Sequence, residues 1–141
     1  MEMEPFIINI FFRPLDIDLG FDKHRLLMMV ADFLVEQMQM NIDMEGPERS
    51  WPPLSEKYGR WKTKHYPGKG MLRLTDALYH SIHPDVDATQ MIAAAETGDL
   101  PYAELHEEGG GKVPARPYAY LTSRGESELA MLVENFFESE W

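Results

Sequence analysis

A run rich in Ile and Phe, PFIINIFF at residues 5–12, suits a pleated, half-buried strand. Pro14 ends it, because proline brings no amide hydrogen to a ladder. The next pattern is helical. Leu27, Ala31, Leu34 and Met38 recur at helical spacing, Val30 and Val35 widen the stripe, and Lys23, Asp32 and Glu36 lie between. This predicts a helix over 23–40 with Asp22 as its cap. Met28, Met29, Met38 and Met40 read as core or interface filling in preference to a flexible binding stripe. Gly46, Pro47, Ser50, Pro52 and Pro53 make residues 41–53 a loop.

Ser55 then caps a short helix through about Lys64, and HYPGKG at 65–70 is a turn. Thr75 is an N-cap for a helix carrying Leu78 and Tyr79, and Pro84 bars its extension. Residues 86–96 form one strand candidate, with a turn at Gly98 and Asp99. Three glycines at 109–111 predict a mobile loop or hairpin tip. YAYL, within 117–121, is the last strand candidate. Ser123 and Glu126 have capping-box spacing, and Leu129, Leu132, Val133, Phe136 and Phe137 follow as one apolar helix face. Glu134, Glu138 and Glu140 oppose the helix dipole at its end, so that end frays unless Trp141 or a partner holds it. The element order predicts an α+β fold. One small antiparallel sheet packs against a long N-terminal helix and a C-terminal helix. A single domain over 1–141 is expected.

Composition agrees with a folded chain of this kind: 44% of residues are hydrophobic and 26% charged. Absence of cysteine excludes disulfides, thiolate metal sites and a cysteine nucleophile. No apolar run approaches the roughly 20 residues needed to cross a bilayer, and Glu2 and Glu4 stand where a signal peptide needs positive charge. An intracellular or particle-bound protein is expected.

Charge changes the picture more. The chain carries −11 overall, yet residues 49–73 hold seven basic groups and one acid. Such a balance opposes general nucleic-acid binding. The basic segment reads as a solvated face or a protein-partner surface, with nucleic acid third. Trp51, Tyr58, Trp61 and Tyr66 interleave with its cations and suit either base stacking or a protein interface.

Candidate chemistry is sparse. His80 and His83 are spaced to share a helix face, and His106 neighbours Glu104, Glu107 and Glu108. ELHEEGG has no second histidine at metalloprotease spacing. GGGK at 109–112 is followed by Val113, so it is no phosphate loop, and no GxSxG is present. No catalytic, cofactor-binding or metal-binding residue is assigned.

Two segments are more specific: WPPLSEKYGRWKTKHYPGKGMLRLTDALYHSI at 51–82 and PYAELHEEGGGKVPARPYAYLT at 101–122. The first has W-x-P-L-S, a lysine-bearing stretch, and L-x-x-T-x-x-L-x-x-S-I. The second has Y-A-x-x-H, a glycine pair and V-P-A-R-P-Y. In that order and separation they resemble the phage virion morphogenesis family, the tail-completion proteins of Mu-like and P2-like phages and prophages. The resemblance covers about residues 21–139. Asp76 departs from the family's usual glycine, and the strand at 5–12 lies in a variable part.

The resemblance implies a structural assembly factor and not an enzyme, without a cofactor, acting in tail completion or head–tail joining. It implies phage neck or tail proteins as partners, and a homo-oligomer for which a ring is one form. Neither membrane nor nucleic-acid contact is expected. Its place would be the host cytoplasm during assembly, then the virion neck or the head-proximal tail end. Structural or interface candidates in the first block are Trp51, Leu54, Lys62, Lys64 and Thr75. In the second they are Tyr102, His106, Pro114, Arg116, Pro117 and Tyr118.

Pro114 and Pro117 make a stiff extended segment. Arg116 on it either locks the loop onto its own domain or reaches a neighbouring subunit, the first being favoured. Trp51 is expected to anchor the preceding loop on the core. Two alternatives stay open: a nucleic-acid-contacting neck module using residues 49–73, and a small metal-dependent hydrolase using His80, His83 and His106.

Overall fold

A computed structural model describes residues 6–9, 22–49, 51–65, 67–71, 77–98, 107–109 and 114–140. Its elements are β1 (Phe6–Asn9), α1 (Lys23–Asp43), α2 (Glu56–His65), α3 (Ala77–Ser81), β2 (His83–Asp87), β3 (Ile92–Glu96) and α4 (Ser123–Glu140). The three strands form one antiparallel sheet in the order β1-β3-β2. With a long N-terminal and a C-terminal helix, the fold is α+β.

Helix α1 organises the core. The Asp22 carboxylate accepts the Arg25 amide at 3.0 Å and starts the helix. Leu26, Leu27, Val30, Ala31, Leu34, Met38 and Ile42 make one buried stripe. Each such aliphatic group larger than alanine contributes roughly 1.5–3 kcal/mol relative to exposure. The stripe packs across β2 and β3 and meets α4. The stripe keeps its spacing past residue 40, so α1 is longer than its expected range and ends at Asp43. Of its methionines, Met38 is buried, Met28 and Met40 are half-buried, and Met29 is exposed.

The central strand β3 reads IAAAE, and Ala93 and Ala95 are in the core beneath α1. Their small side chains let helix and sheet approach closely. Residues 86–96 are not one strand. The Asp87 carboxylate accepts the Thr89 and Gln90 amides at 3.0 and 3.2 Å, which turns the chain into a β2–β3 hairpin. Pro84 lies in β2, at the sheet edge, where a missing amide is tolerated. The helix before it already ends at Ser81, so His80 and His83 sit on different elements and share no helix face.

Two further corrections concern the C-terminal third. Residues 117–121 form no strand; their backbone groups bond side chains, as detailed below. Nor do Ser123 and Glu126 form the cap of α4. Thr122 is the cap: its Oγ1 accepts the Gly125 amide at 3.0 Å and its carbonyl accepts the Glu126 amide at 2.9 Å. Phe136 is buried on α4, whereas Leu129, Leu132, Val133 and Phe137 are half-buried against the core. The expectations for residues 10–12, Thr75, Asp99, the glycines at 110–111 and Trp141 lie outside the described residues.

Candidate functional site

The two distinctive sequence blocks meet in space. After α1 the chain turns through Gly46, whose φ of +80° favours glycine. The Trp51 indole lies against this turn. A Cβ at Gly46 would stand 2.2 Å from Trp51 Cδ1, so no larger residue fits without displacing the ring. Trp51 Nε1 donates to the Pro117 carbonyl at 2.8 Å. In the opposite direction, Arg116 Nε donates to the Pro52 carbonyl at 2.9 Å and Arg116 Nη2 to the Pro53 carbonyl at 3.0 Å. Trp51–Pro53 and Arg116–Pro117 thus clasp each other across more than sixty residues of sequence.

Proline chemistry accounts for this clasp. Prolines bring no amide hydrogen to a ladder, so side chains take up the carbonyls of this partly buried proline-rich segment. A guanidinium suits this task because its donors diverge in a fixed plane.

Residues 118–123 are held in the same way. Asn41, fully buried on α1, donates from Nδ2 to the Tyr118 and Tyr120 carbonyls, both at 2.9 Å. The Glu107 carboxylate accepts the Tyr118 amide at 2.7 Å and the Ala119 amide at 3.2 Å. Tyr120 donates its hydroxyl to the Pro47 carbonyl, and Arg49 stacks over the Tyr120 ring at 4.6 Å. Glu48 accepts the Ser123 amide at 2.9 Å. YAYL has strand composition but is held by side chains, so no partner strand is needed.

Helix α2 carries two contrasting faces. The Ser55 hydroxyl accepts the Tyr58 amide at 3.2 Å and caps the helix. Inward, Lys62 is only 4% exposed and donates its ammonium to the Gly70 carbonyl. Glu45 accepts the Met71 amide at 3.3 Å and sets its negative charge near both Lys62 and Arg116. Burial lowers the pKa of Lys62, opposed by Glu45 and reinforced by Arg116. Burial likewise lowers that of Arg116, again opposed by Glu45. Outward, Tyr58, Trp61 and His65 form a stacked ladder with centroid separations of 5.8 and 4.9 Å. Lys57 and Lys64 are exposed on the same stripe.

The sequence candidates therefore separate. Trp51, Arg116, Pro117 and Tyr118 belong to the clasp, and Lys62 is buried next to it. Leu54 is half-buried at the start of α2, and Lys64 and Pro114 are exposed. Thr75, Tyr102 and His106 lie outside the described residues. Lys62 is thus no part of a solvated basic surface. Asn41, Gly46 and Glu107 are not among the sequence candidates; Gly46 is read there only as a loop breaker and Glu107 only as a neighbour of His106. Asn41 had a readable signal: three residues beyond Met38 on the helical stripe, it is a polar group in a core position. Glu107 had none, since its partners are backbone amides defined only by the fold.

This chemistry consists of donors and acceptors directed at the chain's own backbone. Among the described residues, no group of three or more His, Asp or Glu is placed to hold a metal. No described helix is long and apolar enough to cross a membrane. A family model for the phage virion morphogenesis family matches residues 12–138. No match is found among curated proteins or among solved structures.

Proposed function

We propose that this chain, which belongs to the phage virion morphogenesis family, acts structurally in tail completion or in joining head to tail. The observation that supports this reading is the clasp. The most distinctive motif residues, Trp51 and Arg116, bond the backbone of each other's segments. Their polar groups maintain a shape and are not arranged around a reacting molecule. A part whose work is to present a rigid surface needs that kind of motif.

Its partners in this reading are neck or tail proteins, met in the host cytoplasm during assembly and then at the virion neck or head-proximal tail end. The test is deletion of the gene from the phage or prophage that carries it, with electron microscopy of induced lysates. Filled heads and separate tails should accumulate, and a plasmid copy should restore joined particles. Normal yields of infectious, fully joined virions from the deletion would overturn the proposal.

A further inference from the structure

Helices α1 and α4 lie side by side and run antiparallel. Gln37 of α1 meets Gly125 at the start of α4, and Arg25 lies 4.7 Å over the Phe136 ring near its end. The two helices are held very differently. Over 21 residues α1 buries nine side chains. Over 18 residues α4 buries one large side chain among its described residues, Phe136. Leu129, Leu132, Val133 and Phe137 stay half-buried, and Met131 is 60% exposed.

The contact between them is also incomplete. A groove of about 430 Å³ runs between the helices, lined by Met29 on one side and Met131, Asn135 and Ser139 on the other. Close packing would fill such a space. At the root of the contact the Gln37 side-chain oxygen is buried without a hydrogen-bond partner. A buried acceptor without a donor favours any state that lets water reach it. The last turn of α4 has no basic residue, and Glu134 and Glu138 oppose the dipole near that end. The side-chain bonds Arg124–Glu128, Ser127–Ser123 and Ser139–Phe136 stay within the helix.

The chain just before α4 is the opposite case. Asn41 holds the Tyr118 and Tyr120 carbonyls, and Glu48 holds the Ser123 amide at 2.9 Å. A Cβ at Gly125 would stand 2.5 Å from the Gln37 oxygen. Glycine in the first turn therefore gives a close approach and also a weak point in the helix.

We propose that α4 is an arm that opens from α1 as one unit, pivoting at Gly125 while the clasp stays shut. Few buried apolar contacts put an element at the low-stability end of a fold, where it opens without global unfolding. The pinned root sets where the opening stops. Phe136 lies about 16 Å along the helix axis from the pivot at 1.5 Å per residue, so a modest rotation at Gly125 clears the ring from the core. Closed, the arm keeps this ring from solvent. Open, it shows an apolar face while the α1 stripe stays packed on the sheet. This inference goes beyond the tail-completion reading and rests on the fold alone.

Native-state hydrogen exchange followed by NMR tests it. A detached helix of this length is marginal in water, so opening as a unit lets its amides exchange together. Amides from Ala130 to Phe137 should share one rate, about tenfold or more faster than the slowest amides of α1. A lock supplies the second measurement. The chain has no cysteine, so Met29→Cys combined with Met131→Cys places two thiols at exposed positions on one groove. Bridging them with a short bis-maleimide should slow the α4 amides about tenfold towards the α1 rates, whereas capping each with N-ethylmaleimide should not. Three results would each overturn the proposal: α4 amides as slow as those of α1, rates that only climb gradually towards the C-terminus as in end fraying, or a bridge that leaves the α4 rates unchanged. Intact virions from the gene deletion would defeat the tail reading without touching these results.

Discussion

Trp61 and Lys62 are adjacent in the chain, yet the indole is 43% exposed and the ammonium-bearing residue 4%. Residue type alone predicts the reverse. On the inner side of α2, a carbonyl at Gly70 and the charge of Glu45 make a buried cation tolerable. On the outer side, Tyr58, Trp61 and His65 stack on one another along the helix. The inner region is closed on itself by directed hydrogen bonds, while the outer region leaves aromatic area partly exposed.

The sharpest way to break this comparison uses two residues of one type. Trp51→Ala should cost about 3–5 kcal/mol, since it removes a buried ring and leaves the Pro117 carbonyl without its donor. Trp61→Ala should cost less than about 1 kcal/mol. Urea denaturation of both variants reads the difference; equal costs would show that the two regions are not energetically distinct. Charge reversal comes next. Lys62→Glu, which buries a carboxylate near Glu45, should cost about 3 kcal/mol or more, whereas Lys64→Glu should stay within about 0.5 kcal/mol. Similar midpoints for the two would mean that Lys62 reaches solvent.

Smaller effects follow at two other adjacent pairs. Thr122 is buried and caps α4, and Ser123 is exposed. Thr122→Ala should cost about 1 kcal/mol and Ser123→Ala less than half as much; a larger loss at Ser123 would restore the capping box that its spacing suggests. The smallest expected effect is at Glu107, half-buried beside exposed Glu108. Burial raises the Glu107 pKa above its ordinary 4.5, opposed by the Tyr118 and Ala119 amides. Between 4.5 and that raised value the folded chain binds more protons than the unfolded one. This group's contribution to stability is therefore fullest below 4.5 and falls as pH rises through the window. Glu107→Gln should flatten the fall, and Glu108→Gln should leave most of it. Glu96, raised by burial and by neighbouring Asp85, adds to the same slope, so flattening is expected to be partial. A Glu107→Gln profile parallel to wild type in denaturation series at several pH values would refute the assignment.

Local pattern alone determined the order of the helices, the core stripe of α1, the cap at Asp22 and the segments that identify the family. These depend on residues within one or two turns of each other, where periodicity and capping chemistry operate. Residues 86–96 and 117–121 show the limit of that logic. Strand composition says that a segment can be extended, but not what receives its backbone hydrogen bonds. Asp87 made the first a hairpin, and Asn41 and Glu107 removed the second from any sheet. Tertiary structure likewise decided that Trp51 and Arg116 share one clasp, and that of two neighbours Lys62 faces in and Trp61 faces out. Those outcomes depend on which carbonyls the fold leaves without a ladder partner, and on which distant side chain is brought within 3 Å of them.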